Sequence, residues 1–295
     1  MGIRRGSLLS AMAALLLTAC AKEPVRQAAP PVFIIRDTDT TIYLTGTVHL
    51  LPDGLAWRSP AVTRAMAAAD TLVTELPQAE LDRVAEVAPR FARAARAIPV
   101  PARLAPDLRD DFARLADDLP SASELAALDD WAVAVMLAQV SAREAGAEAG
   151  NGMDSGLADA FRRAGKPHTG LETAANQFAA FDAIPLAEQR LMLNRLVCDM
   201  AAGIADDRLR ATIDAWAAGD LDRIAAIIED DRTLAPGAHR VMLVARNARW
   251  RDWIAARMAR PGTILIAVGS GHLAGPDSLI ALLAERGIRA ERVPG

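Results

Sequence analysis

The sequence has little of what usually announces a function. Aromatic residues make up 4% of it, which argues against a sugar-binding surface of stacked rings. The formal net charge is −4 and no block of Lys or Arg occurs. Both facts argue against a nucleic-acid partner. The apolar stretch at residues 7–17 is too short to span a bilayer comfortably, and no other segment is apolar enough. The His-Glu-x-x-His signature of zinc proteases and the Gly-x-Ser-x-Gly of serine hydrolases are both missing. Only two cysteines and four histidines are present.

The N-terminus reads as a bacterial lipoprotein signal. Arg4 and Arg5 precede the apolar stretch, which ends in Leu17-Thr18-Ala19-Cys20. The expectation is cleavage before Cys20 and a lipid on its thiol. Ala21, rather than Asp, follows the cysteine, which points to the outer membrane. Residues 20–31 then form the lipidated start and a tether rich in Pro and Ala. Cys198 is left alone, so no intramolecular disulfide is possible. It lies in an apolar helical stretch with no histidine nearby and reads as a small buried side chain.

What is present is a repeat. Gly-x-x-His-Leu occurs at Gly46-Thr47-Val48-His49-Leu50 and again within Gly269-Ser270-Gly271-His272-Leu273. Each copy follows an apolar, strand-like run, and each is followed by a turn, a helix-like stretch and another strand. A histidine just past a strand end, beside a glycine that allows a tight turn, sits where α/β proteins place chemistry.

Around the repeat, strands are expected at residues 32–35, 41–45, 71–76, 168–171, 263–268 and 288–293. Ser59-Pro60 starts a helix as N-cap and first residue. Another helix spans residues 153–164 and is closed by Gly165. Residues 238–260 read as one long helix and 276–286 as the last. From 81 to 145 the spacing is helical, broken by prolines. The fold class is therefore α/β (α+β), with a central mixed sheet built from both ends of the chain and flanking helices. Residues 32–295 form a single domain with a mostly helical insertion at 81–150.

The strand-end logic also selects Glu75 and Glu172. Each ends an apolar, β-like run, and a carboxylate there must be paired, hydrogen-bonded or metal-bound. Glu172, just before Thr173, also suits a helix cap. Together His49, His272, Glu75 and Glu172 can hold a divalent metal or act metal-free as acid and base. Gly269-Ser270-Gly271-His272-Leu273-Ala274 fits a loose dinucleotide pattern, but too little chain follows to complete a nucleotide-binding half. From the residues alone, Arg246 and Asn247 read as a solvated helix face with Trp250 in the core. His168 and His239 read as surface or capping residues.

Several of these segments resemble one family. Tyr43-Leu44-Thr45-Gly46-Thr47-Val48-His49-Leu50-Leu51-Pro52 looks like the opening motif of the TraB/PrgY/GumN family, and residues 69–76 like its glutamate strand. Met153-Asp154 through Gly165-Lys166-Pro167, then Gly170-Leu171-Glu172-Thr173, resembles its middle signature. Arg246-Asn247 and residues 268–273 complete the set. The resemblance implies a fold similar to the Tiki, erythromycin-esterase and haem-binding ChaN-like proteins. Tiki members are metal-dependent proteases. By matching motifs, His49, Glu75, Glu172 and His272 inherit the catalytic role. His49, Glu75 and His272 are the metal set, and Arg246 and Asn247 contact the transition state or substrate.

The expected function is a lipid-anchored, metal-dependent hydrolase on the periplasmic face of the envelope, acting on peptides or another small substrate. Its cofactor is a divalent Mn, Co or Zn. The alternative is a non-catalytic envelope lipoprotein that binds a peptide or haem in the same cleft.

Overall fold

A computed structural model describes residues 25–294; the signal segment and Cys20 lie outside the described residues. Apolar alternation on both faces dictates a covered sheet. Six strands form it: β1 (Val32–Arg36), β2 (Thr40–Thr47), β3 (Thr71–Thr74), β4 (His168–Gly170), β5 (Gly262–Gly269) and β6 (Glu291–Arg292). Their spatial order is β6-β1-β2-β5-β3-β4. The β1–β2 hairpin and the β6 edge are antiparallel, while β2, β5, β3 and β4 are mutually parallel neighbours.

The middle strand β5 shows why. Ile264, Ile266 and Val268 face one core, where they pack with Trp250, Ile254, Leu279 and Leu283. Leu265 and Ala267 face the other, with Val62, Leu157, Phe161 and Trp216. A strand apolar on both faces needs helices on both faces, which is the usual setting of parallel sheets. One layer holds α1 (Pro60–Ala68), α3 (Met153–Arg163) and α6 (Ile204–Ala218). The other holds α8 (Ala245–Arg257) and α9 (Leu279–Glu285). The mixed α/β class expected from the sequence is the observed one.

The rest of the helical part stands apart. Within the expected insertion, α2 (Asp130–Glu144) packs on α5 (Leu186–Ala201) around Val100, Phe112, Val133, Leu137, Leu193 and Val197. Short helical turns precede α2, broken at the prolines. Helix α4 (Ala174–Asp182) follows Glu172, and α7 (Leu221–Leu234) follows α6.

Five details depart from expectation. Residues 25–31 do not hang free: Ala28 is buried and donates its N–H to Ala56, and Pro31 accepts from both Gly46 N and Thr45 Oγ1. A proline-rich segment lacks donors but keeps acceptors, so it can edge a sheet. Cys198 is exposed, not buried. Its neighbours Leu193 and Val197 take the inward face of α5, and Cys198 lies about 100° further round the helix from Val197. The expected helix at 238–260 is interrupted by a π-turn at Arg240–Val244. The last helix starts later, at Leu279, where Ser278 caps it by accepting from Ala281 N. The closing strand shortens to Glu291–Arg292.

Candidate functional site

Parallel strands end on the same edge of a sheet, and this edge is where ligands bind in open α/β folds. Here the four parallel neighbours deliver, in spatial order, His49 after β2, His272 after β5, Glu75 after β3 and Glu172 after β4. The pairing of β3 with β4 runs on beyond the strands. Leu171 N donates to Thr74 O and Glu172 N to Glu75 O, which sets the two glutamates side by side.

Two glycines make the close approach possible. A Cβ on Gly46 would sit 3.1 Å from the Ser270 backbone, so with a side chain there the two copies of the repeat would have to part by a few tenths of an ångström. A Cβ on Gly269 would sit 3.2 Å from Glu75 Oε1, 3.7 Å from His272 Cδ2 and 3.8 Å from His49 Nε2. The space above Gly269 is thus a small cradle ringed by three of the four sequence-selected residues.

Arg246 ties the cluster together from α8. Its Nη2 donates to Glu75 Oε2 at 2.6 Å and also to Glu172 Oε1, and its Nε donates to Glu172 at 3.1 Å. Its Nη1 donates to Met242 O and to His272 Nε2, both at 3.2 Å. The guanidinium lies 4.7 Å over the Trp250 ring, which itself packs 4.4 Å from His272. Arg246 is 4% exposed, so it is no solvated face.

Asn247 is fully buried and reaches no cleft. Its Nδ2 donates to Asp277 O, and its Oδ1 therefore accepts from His272 Nδ1 at 2.7 Å. That fixes His272 as the neutral tautomer with a bare Nε2, the nitrogen that accepts from Arg246. Asn247 orients a histidine instead of touching substrate. Glu172, its side chain 2% exposed, is the anchor of Arg246.

Sequence reasoning passed over Asp154 as a functional residue. It lies in the first turn of α3, where a carboxylate is ordinary. Its Oδ1 accepts from Thr47 Oγ1 at 2.7 Å and its Oδ2 pairs with His49 Nδ1 at 2.8 Å. Helix α3 reaches that position because Gly152 has no side chain: a Cβ there would fall 2.1 Å from His49 O. Met153 N also donates to Val48 O. The only signal for Asp154 was its place inside a family-like motif.

The two histidines of the repeat end up in opposite environments. Asp154 raises His49 to about 9, although its ring stays largely open to solvent, which screens the pair. Burial lowers His272 to about 4, and Arg246 adds to that. Burial opposes ionisation of Glu75, but His272, Arg246, His49 and the Gly269 N–H, which donates to it at 2.7 Å, together hold it at about 2. Burial raises Glu172 against the pull of Arg246.

These shifts set an acid-side stability profile. The unfolded chain binds a proton at His272 near 6.5, while the fold resists it until about 4. Glu75 takes a proton near 4.5 when unfolded and at about 2 when folded. Both contributions are present at neutral pH and are lost on acidification. The unfolding midpoint should therefore fall from pH 6.5 to 4 through His272, with Glu75 adding below 4.5. A flat profile in thermal unfolding across that window would contradict these placements.

The other histidines bind locally. His168 Nε2 donates to Thr74 Oγ1, which passes its own proton to Leu76 O. His239 pairs with Asp277 at 3.1 Å. A cavity of about 290 Å³ between α1 and α3, lined by Arg58, Met66, Phe161 and Lys166, holds none of the clustered residues. Lys166 there is already spent on the last carbonyls of α1.

The donors suit a divalent ion in kind and in orientation. His49 and His272 are each held at Nδ1, by a carboxylate and an amide, as ligating histidines are. His49 Nε2, Glu75 Oε1 and the edge of the His272 ring face the glycine cradle, and His272 Nε2 lies 3.9 Å from Glu75 Oε1. Yet among the described residues no three His, Cys, Asp or Glu side chains are drawn into a closed metal cluster.

No curated protein and no solved structure matches the chain. A family model does, across residues 31–292, and those residues carry all four strand ends and Arg246. The chain belongs to the TraB/PrgY/gumN family.

Proposed function

We propose that this protein is a lipid-anchored, metal-dependent hydrolase of the cell envelope, with peptides as its substrate class. The observation that carries the reading is the convergence of His49, Glu75 and His272, from three strand ends, on the space above Gly269. His49, Glu75 and His272 would hold the ion, Mn, Co or Zn, which would supply the positive charge that polarises a scissile carbonyl.

The chain's own groups do the rest. Asp154 fixes the His49 ring so that Nε2 faces the cradle, where its lone pair would be offered to the ion. Arg246, itself buried and kept in place by Glu172, puts donors beside the point where an oxyanion develops. Asn247 holds His272 in the tautomer with Nε2 free of a proton. Glu172 is too tightly bound to Arg246 to activate water. Attachment by lipid at Cys20 is read from Leu17-Thr18-Ala19-Cys20 and the basic, apolar segment before it.

The test is elemental analysis of the purified chain together with a peptide-library assay. Near-stoichiometric metal is expected, with turnover that a chelator abolishes. Asp154→Asn should weaken metal affinity or turnover by about 10–100-fold, as loss of a ligand's supporting partner does. A metal-free chain that fails to take up Mn²⁺, Co²⁺ or Zn²⁺ and cleaves nothing would sink the reading.

A further inference from the structure

The metal set has a resident competitor. His272 offers one free nitrogen, Nε2, because Nδ1 is committed to Asn247. That single lone pair accepts from Arg246 Nη1 at 3.2 Å. The other two donors are not blocked in this way. Glu75 uses Oε2 for Arg246 and keeps Oε1, bound to Gly269 N–H, turned to the cradle. His49 turns Nε2 to the cradle while Asp154 holds Nδ1, and the proton that Asp154 favours on that ring is what an ion must displace there. So, once the His49 proton is displaced, one hydrogen bond separates an open set from a closed one.

Arg246 can release that bond without leaving its place. The other hydrogen of its Nη1 is held by Met242 O, also at 3.2 Å. Its Nε and Nη2 stay anchored to Glu172 and Glu75, and its face stays on Trp250. Withdrawal of Nη1 from His272 therefore frees one N–H, while the other stays on Met242 O, and the bond that a cation makes to Nε2 has to exceed that cost.

We infer that Arg246 is a latch on the metal site: its Nη1 holds the Nε2 of His272 until a divalent cation displaces it. The inference rests on the proposed metal reading and adds to it a control on metal entry. A fixed cation beside the cradle also lowers affinity for a second cation by repulsion. Removal of Arg246 alone would mix those two effects and leave Glu75 and Glu172 unpaired. The paired change Arg246→Met/Glu172→Gln removes one positive and one negative charge, so the site's net charge is kept while the latch is lost.

The experiment is titration of the full chain, stripped of metal, with Co²⁺, read by calorimetry and by the visible absorption of bound cobalt. The expected result is a dissociation constant at least tenfold lower in Arg246→Met/Glu172→Gln than in the unmodified protein. In a His272→Ala background the same pair of changes should give no gain, because the contested nitrogen is gone. Equal or weaker binding by the paired variant, with cobalt still bound by the unmodified protein, overturns the latch and leaves the metal reading standing. A gain that persists without His272 also overturns it. Failure of every form to bind cobalt overturns both. If the paired variant does not fold, the contact can be read in the unmodified protein by nitrogen NMR of labelled histidine. Nε2 of His272 should report as a hydrogen-bonded acceptor before Zn²⁺ and as a ligand after it. A His272 signal that Zn²⁺ leaves unmoved, while His49 responds, counts against the latch.

Discussion

Arg246→Ala should destabilise the fold by about 3–5 kcal/mol at neutral pH, among the largest losses available to one substitution here. The reason is what the guanidinium leaves behind. Its side chain is 5% exposed, and those of Glu75 and Glu172 are 8% and 2% exposed. Deleting the cation uncovers two carboxylates in a region of low dielectric, close enough that Glu75 already raises Glu172. The stem over Trp250 is lost as well, which is packing and not charge. The cost should shrink toward pH 5, because Glu172, raised by burial, is the group that takes up a proton to relieve the clash. Denaturant unfolding at pH 7 and pH 5 reads both effects. Arg210→Ala, an exposed side chain paired with the exposed Asp207 one turn away, is the control and should stay within about 0.5 kcal/mol. A loss for Arg246→Ala no larger than that control would mean the cluster is not buried as described.

The same cluster shows which parts of the molecule could be read from the sequence. Strand ends were legible because an apolar run stopped by glycine or by a carboxylate leaves few alternatives. His49, Glu75, Glu172 and His272 all follow that rule, and the four strands they end are neighbours. Arg246 was not legible from its residues. In Arg246-Asn247-Ala248-Arg249-Trp250 several polar positions compete for the inward face, and helical phase is reset by the π-turn just before them. Sequence carries no clear mark of a π-turn, since it is one residue of extra register in an otherwise helical stretch. The exposure of Cys198 failed for a related reason: the composition of α5 is apolar overall, but burial follows the phase of each residue. Asp154 was hidden by its normality, because an acid in the first turn of a helix needs no functional explanation. What singles it out is tertiary: the bare Gly152 that lets α3 touch the His49 backbone.

Gly269→Ala should separate function from stability. Gly269 has φ −50° and ψ 135°, an ordinary backbone conformation that alanine adopts without strain. Its N–H to Glu75 survives the change. An added methyl meets Glu75 Oε1 at 3.2 Å, so the carboxylate must give by a few tenths of an ångström. The stability cost is therefore small, about 1 kcal/mol or less, and is partly offset by the reduced freedom of the unfolded chain. The functional cost is large, because the methyl occupies the one point that Glu75 Oε1, His49 Nε2 and the His272 ring all face. Metal uptake and peptide turnover should both fall by at least about 100-fold, since misplacement of reacting groups by an ångström costs that much. The matched measurement is cobalt titration, turnover and thermal unfolding on the same preparation. Gly46→Ala is the useful contrast: its methyl presses on Ser270 at the junction of the repeat and on no donor, so it should cost stability first and activity second. Full activity in a stably folded Gly269→Ala protein would show that the chemistry lies somewhere other than the cradle. A folded, inactive protein that binds no cobalt would place metal and substrate chemistry together over this one missing side chain.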